Sequence, residues 1–138
     1  MVTSRQNEQA VRHCVELYNQ CTLEWVDTCY DKAAEWNELP IPGISPGRQG
    51  DRDFLRKTAG AILRLYPDRQ IRVLNLVTQA DQVVLEQDWL GTAAAAFGGL
   101  QTGQQVRFRI ASFFTLRDGL IVQQTDYVIP IPIQDAEK

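Results

Sequence analysis

The 138-residue chain is long enough to enclose a real core, and one compact domain over 1–138 is expected. With 44% hydrophobic and 22% charged residues it is not a disordered segment, and a net charge of −3 with arginines interspersed among acids leaves no electropositive stripe for nucleic acid. The start MVTSRQNEQA has no apolar h-region, and no stretch nears the roughly 18 apolar residues that span a bilayer, so no membrane partner is expected and the chain is read as cytoplasmic.

From Asn7 to Asn19 the apolar residues Ala10, Cys14, Leu17 and Tyr18, with Val11 and Val15, recur at helical spacing and predict a first helix. Thr22 is placed to cap a short second helix, because Leu23, Val26 and Tyr30 follow at threes and fours and Glu24 and Asp27 suit its first turns. Lys32 to Glu38 is too short for another helix and runs into LPIPGISPGRQG, whose prolines and glycines force an irregular segment that could rim a pocket. Asp51 caps a third helix with Phe54, Leu55, Thr58, Ala61, Ile62 and Leu65 on one face, and Pro67 stops it. Three helices are thus expected before any long strand.

After Pro67 the period changes to two. Ile71, Val73 and Val77 alternate with polar neighbours, as do Val83, Leu85 and Trp89 beyond the turn Ala80-Asp81-Gln82. Thr92 to Gly103, TAAAAFGGLQTG, reads as a loop across the mouth of the sheet. Val106 to Leu116 and Leu120 to Ile131 are two further alternating runs joined at Asp118-Gly119, a hairpin signal. Helices followed by strands argue for an α+β fold with a strongly curved antiparallel sheet, and no GxGxxG, P-loop or GxSxG motif argues otherwise.

Cys14, Cys21 and Cys29 lie in helix-like sequence without close pairs and read as buried reduced thiols, and the one histidine, His13, shares no face with Cys14, so no metal site is expected. His13 reads as a surface or interface residue whose helical neighbour is Glu16. Arg107 and Arg109 alternate on one strand face with nothing acidic between them, which suits contacts across subunits, solvent, or an anionic ligand.

The most informative stretch is DGLIVQQTDYVIPIP, in which the carboxylate Asp126 interrupts Leu, Ile and Val. A three-residue loop Arg117-Asp118-Gly119 would pair Leu116 with Leu120 and put Asp126 on the side of Ile110, Ser112 and Phe114, where apolar surroundings raise its pKa. A two-residue turn would slip the register by one and set it beside Arg109 and Ala111 as an ordinary ion pair. The sequence leaves both open.

The order of YDKAAEWNELP, GRQGDRDFLRKTAGAILRLYPD, GTAAAAFGGLQTG and FTLRDGLIVQQTDYV resembles the NTF2-like (cystatin-like) superfamily, specifically its SnoaL-like polyketide cyclase and ketosteroid isomerase-like branch. The resemblance implies a cone in which three N-terminal helices close one side of a curved antiparallel sheet around an apolar pocket, commonly as a homodimer. It also implies acid/base chemistry on a small hydrophobic, carbonyl-containing or polycyclic compound without metal or organic cofactor; the alternative is a non-catalytic small-molecule-binding module of the same fold. Asp126 falls where cyclase-like members carry their acid, and Glu38 lies near the place of a proton-shuttling Asp, although a leucine separates it from Pro40. Asn37 and Ala93 stand where such members often show histidines. On this resemblance Asp126 and Glu38 are the candidate catalytic residues. Asn37 and Ser112 are candidate carbonyl-orienting donors, and Tyr18, Trp36, Trp89 and Phe114, with Phe113 weighed beside them, are candidate aromatic walls.

Overall fold

A computed structural model describes residues 2–133; residues 1 and 134–138 of the expected domain lie outside the described residues. In chain order it contains α1 (Ser4–Tyr18), α2 (Glu24–Cys29), β1 (Tyr30–Glu38), β2 (Arg48–Gly50), α3 (Arg52–Leu65), β3 (Gln70–Gln79), β4 (Gln82–Thr92), β5 (Gln105–Arg117) and β6 (Leu120–Pro130). The three helices pack against one curved, unclosed sheet of order β2-β1-β6-β5-β4-β3, an α+β architecture. Among the described residues no helix is long and apolar enough to cross a membrane.

The helix ends follow local chemistry. Thr3 and Gln6 form a reciprocal capping box at the start of α1, and the Asp51 side chain accepts from the Phe54 N–H at the start of α3. At α2 the expectation is corrected: the N-cap is Leu23, and the Thr22 hydroxyl accepts from the Glu24 N–H just inside the helix instead. Val11, Val26 and Val83 have no exposed surface and join Leu17, Leu55, Leu85, Phe114 and Ile121 in one cluster between helices and sheet. Each fully buried aliphatic side chain there contributes about 2 kcal/mol.

A nine-residue strand, β1, precedes α3, against the expectation that three helices come before any long strand. The segment KAAE is rich in helix formers, but burial alternates at Ala34 and Trp36, and pairing with β2 and β6 fixes it as a strand. The sheet is also mixed. β3 to β6 form an antiparallel meander whose last strand returns beside β1 in the same direction, so this one pair is parallel.

Two bulges set which residues face inward. Leu74 is extra in β3, since Val73 pairs with Gln87 and Asn75 with Glu86. The inward set therefore passes from Ile71 and Val73 to Leu76, which packs on the core, while Val77, expected to point inward, is 55% exposed. In β6, Thr115 pairs with Gln123 and Leu116 with Ile121, which makes Val122 the extra residue. The hairpin turn itself is the two-residue one: Arg117 pairs with Leu120, and Asp118 and Gly119 have φ of 54° and 79°, as a type I′ turn requires. The bulge cancels the slip that this turn would cause. Asp126 consequently lies opposite Ser112, on the face foreseen for the other turn.

The outer face of the sheet carries its own polar centre. Asp88, with no exposed surface, accepts from Arg109 Nε at 2.6 Å, Arg107 Nη2 at 2.8 Å and Arg72 Nη2 at 3.0 Å. Arg107 and Arg109 have no acidic neighbour on their own strand, but β4 supplies one across the ladder at the pair Asp88–Arg109. The cover over Asp88 is thin, being made of guanidinium groups that are themselves partly exposed. Burial pushes its carboxyl up, but the hydrogen bonds from Arg109, Arg72 and Arg107 outweigh this and hold it below the usual carboxylate range. A lowered folded pKa gives stability that is present above the unfolded value and is lost as pH falls through the folded one. Asp88→Asn is expected to lose about 2 kcal/mol at neutral pH. In urea unfolding the gap to wild type should shrink below about pH 4; a constant gap would show that the ion cluster is not its source.

Candidate active site

The space between α1, α3 and the inner face of the sheet holds a cavity of about 140 Å³. Beside it, under the 39–47 loop and Phe97, lies a second of about 260 Å³, and Glu38, Ile62, Trp89 and Ile110 line both. Ile41, Ile44 and Phe97 bring the two irregular segments of the sequence to the outer chamber.

Asp126 is in the wall of the inner cavity and 8% exposed. Its Oδ1 accepts from Ser112 Oγ at 2.6 Å and Gln124 Nε2 at 2.9 Å, and its Oδ2 accepts from Trp36 Nε1 at 2.9 Å and Gln124 Nε2 at 3.1 Å. Each donor comes from a different structural decision: Ser112 through the bulged β5–β6 register, Trp36 through the parallel β1–β6 pair, and Gln124 as the residue two before Asp126 on the same strand face. All three are neutral. Burial pushes the Asp126 carboxyl up, the hydrogen bonds from Ser112, Trp36 and Gln124 pull it down, and burial wins.

The network extends at both ends. Gln87 Nε2 donates to Ser112 Oγ at 2.8 Å, and the Tyr30 hydroxyl donates to Gln124 Oε1. Glu38 is the strand partner of Asp126 across the parallel pair, so two carboxylates stand side by side. Burial raises the Glu38 pKa, Arg48 at 3.6 Å opposes this, and the neighbouring Asp126 adds to it. Glu38 Oε1 is enclosed without a hydrogen-bond donor.

Tyr18 lines the same cavity from the end of α1. Its hydroxyl oxygen accepts from Trp89 Nε1 at 2.6 Å, and the guanidinium of Arg69 stacks 3.7 Å above its ring. Arg69 has no exposed surface and is held by the Tyr18 and Thr22 carbonyls at 2.7 and 3.1 Å. Burial raises the Tyr18 phenol to about 12, so its proton stays on at neutral pH. Among the described residues no acceptor takes that proton. Gly91 leaves room for Trp89 to make this contact, since a Cβ there would meet the indole at 2.9 Å.

Of the residues proposed from sequence, Asp126, Glu38, Tyr18, Trp36, Trp89, Ser112 and Phe114 all line the inner cavity. Asn37 does not: it lies between Trp36 and Glu38 on β1, and strand alternation turns it to the other face. Phe113 is likewise on the outer face and 48% exposed. Ser112 has one hydroxyl proton and gives it to Asp126, so it is a holder of the acid and has none left for a ligand carbonyl. Asp88, next to Trp89 in sequence, belongs to the outer arginine cluster. His13 is exposed, Cys14 and Cys29 are buried free thiols and Cys21 is half-buried; among the described residues no cluster suited to a metal occurs.

Sequence reasoning missed Gln87, Gln124, Arg69, Tyr30 and Trp25, all of which line this cavity. For the two glutamines a signal was available: Gln87 occupies an inward position of the Val83, Leu85, Trp89 series, and Gln124 shares the period-two face of Asp126. A polar residue in an inward register is the same anomaly that singled out Asp126.

A family model described as SnoaL-like domain matches residues 11–124. Among solved structures, AclR from Streptomyces galilaeus, a proposed hydroxylase, is similar with a TM-score of 0.79 at 19% identity, over 92% of this chain and 77% of that one. IdmH from Streptomyces antibioticus, a proposed polyketide cyclase, gives a TM-score of 0.76 at 21% identity over 89% and 91%. A proposed SnoaL-like polyketide cyclase from Jannaschia sp. CCS1 gives 0.74 at 17% over 93% and 88%. At such identities the likeness is one of fold. No curated protein matches the sequence of the chain.

The geometry yields a direct test of what tunes Asp126. Trp36→Phe removes one neutral donor from the carboxylate, so a carboxyl-carbon NMR titration should show the Asp126 midpoint, already above the ordinary value of about 4, move further up. A raised folded pKa gives stability that is present below the unfolded value and lost as pH rises through the folded one. Asp126→Asn should therefore gain stability relative to wild type over that rise. An Asp126 midpoint at or below the ordinary value would contradict the burial argument.

Proposed function

The chain belongs to the SnoaL-like domain family, and from that premise we propose that 1–138 is one such domain whose inner cavity performs acid/base chemistry on a small carbonyl compound, as a cyclase or isomerase. The observation that carries this reading is a carboxylate, Asp126, buried in a cavity wall among neutral donors alone, where burial raises its pKa above the ordinary carboxylate value.

Asp126 would take a proton from the carbon next to the substrate carbonyl. The electron pair of that C–H bond moves into an enolate, whose oxygen receives the uncommitted Tyr18 hydroxyl as a hydrogen-bond donor, polarised by Trp89 and Arg69. Isomerisation ends when Asp126, or Glu38 beside it, returns the proton to a different carbon. Closure of a ring ends when the enolate carbon attacks a second carbonyl of the same molecule and the new alkoxide takes the proton. Neither route requires a metal or organic cofactor. Trp36, Trp89 and Phe114 would form the walls. Size limits the substrate: a cavity near 150 Å³ accommodates one six-membered ring, so a larger compound must extend into the outer chamber.

A second reading, a small-molecule-binding module, is favoured by one feature. The two oxygens of Asp126 already accept four hydrogen bonds, which is about the capacity of a carboxylate, so the acid would be a structural anchor within a binding cavity. The two readings part in deuterium oxide. Wild type should exchange the α-hydrogens of cyclohex-2-enone or acetophenone, followed by proton NMR, and Asp126→Asn should slow this by about 10²- to 10⁴-fold. Binding of both ketones without exchange above buffer would select the binding module.

The outer face supports a homodimer. Phe113 and Tyr127 meet edge to face at 5.6 Å, and with Ile129 they leave three large apolar side chains 47–58% exposed on neighbouring strands. Light scattering coupled to size exclusion should give twice the chain mass for wild type and the monomer mass for Phe113→Glu; a monomeric wild type would rule the dimer out.

A further inference from the structure

The inner cavity contains a buried acceptor that no group among the described residues satisfies. Gln87 is 4% exposed, lines the cavity from β4, and its Oε1 has no hydrogen-bond donor among the described residues. The orientation of its amide follows from counting protons. With Asp126 ionised, the form a general base must have, Ser112 directs its single hydroxyl proton to Asp126 Oδ1 at 2.6 Å, so Ser112 Oγ can only accept from Gln87. The end of Gln87 that faces Ser112, at 2.8 Å, must then be its NH2 group. Oε1 is left as the free end, and a buried acceptor is costly to leave unpaired.

We propose that Gln87 is the specificity-determining residue of the cavity and that it selects a small ring ketone that also carries a hydroxyl group, whose O–H donates to Gln87 Oε1. This rests on the preceding reading of the cavity as a ligand site and narrows its substrate class from carbonyl compounds to hydroxylated ones. Among the described residues lining the cavity, Glu38 Oε1 is the other enclosed acceptor, but Arg48 stands 3.6 Å from it and the residue borders both chambers. Gln87 lines the inner chamber, has no charged neighbour to satisfy it, and is locked by the same relay that holds Asp126. The ligand hydroxyl would thereby be tied to the acid through two fixed hydrogen bonds, which sets the ring in one orientation relative to Asp126.

The test compares two probes that differ by one hydroxyl, 3-hydroxyacetophenone and acetophenone, by isothermal titration at neutral pH. Wild type should bind the hydroxylated probe about tenfold more tightly, the ratio a single satisfied buried hydrogen bond supplies. Gln87→Leu, which keeps the bulk and removes the acceptor, should bring the ratio to about one. Gln87→Met replaces it if the leucine variant does not fold, as judged by its thermal transition. Equal binding of both probes to wild type, or a hydroxyl preference that survives in the variant, would overturn the assignment of Gln87 and leave the acid/base reading standing. Failure of wild type to bind either probe would overturn both.

Discussion

The rest of the site depends on burying one carboxylate without a cation. An ionised acid removed from water is unstable unless donors replace its hydration, and for Asp126 the replacements come from β1, β5 and β6 at once. That requirement binds distant parts of the chain together. Trp36 reaches the acid because β6 returns beside β1 in parallel, and Ser112 reaches it because Val122 bulges. Moving the register of either pair by one residue would turn a donor to the far face and leave a buried charge unsatisfied. The same donors raise a further demand, since Ser112 and Gln124 are themselves held by Gln87 and Tyr30. The polar network therefore crosses the inner sheet face as a line from Gln87 to Tyr30, and the aromatic walls close around it.

Much of this was legible in the chain. Helical periodicity and the Asp51 cap located α1 and α3, and alternation located the meander from β3 to β6, because those signals arise from burial on one face and act locally. The inward position of Asp126 was legible only as one of two registers. The sequence shows Asp118-Gly119 as a turn but not the bulge four residues before the acid, which lets Leu116 and Ile121 pair and both enter the core. β1 was hidden for a related reason: KAAE favours a helix by itself, and only the returning β6 makes it a strand. Asn37 stands at a position that matches the family by likeness alone, and the alternation of β1 turns it to the face away from Trp36. The arginine pair was read along its own strand, whereas its partner Asp88 is on the next one. In each case the missing information is a contact between residues far apart in sequence.

Asp88 and Asp126 show how one sheet assigns opposite properties to the same residue type. Both are almost without exposed surface, and both accept hydrogen bonds from three residues. Around Asp88 the donors are guanidinium cations on the outer face, open to solvent on their far side, and its pKa falls below the ordinary range. Around Asp126 the donors are a serine, an indole and an amide beneath the helices, and its pKa rises. The charge of the donors and the depth of burial together set the direction: under the thin cover of Asp88 a cation adds Coulomb attraction to its hydrogen bond, while deep beneath the helices the neutral donors of Asp126 offer the hydrogen bond alone against the full cost of desolvation. An acid in the first setting gains stability by remaining ionised and has no tendency to accept a proton near neutrality. An acid in the second holds a proton more readily than a free carboxyl does, because burial disfavours its charged form. Separation of the two faces by the thickness of a single sheet keeps the arginines from reaching Asp126, so the alternation of β5, with Arg109 outward and Ser112 inward, protects the acid as much as it positions it.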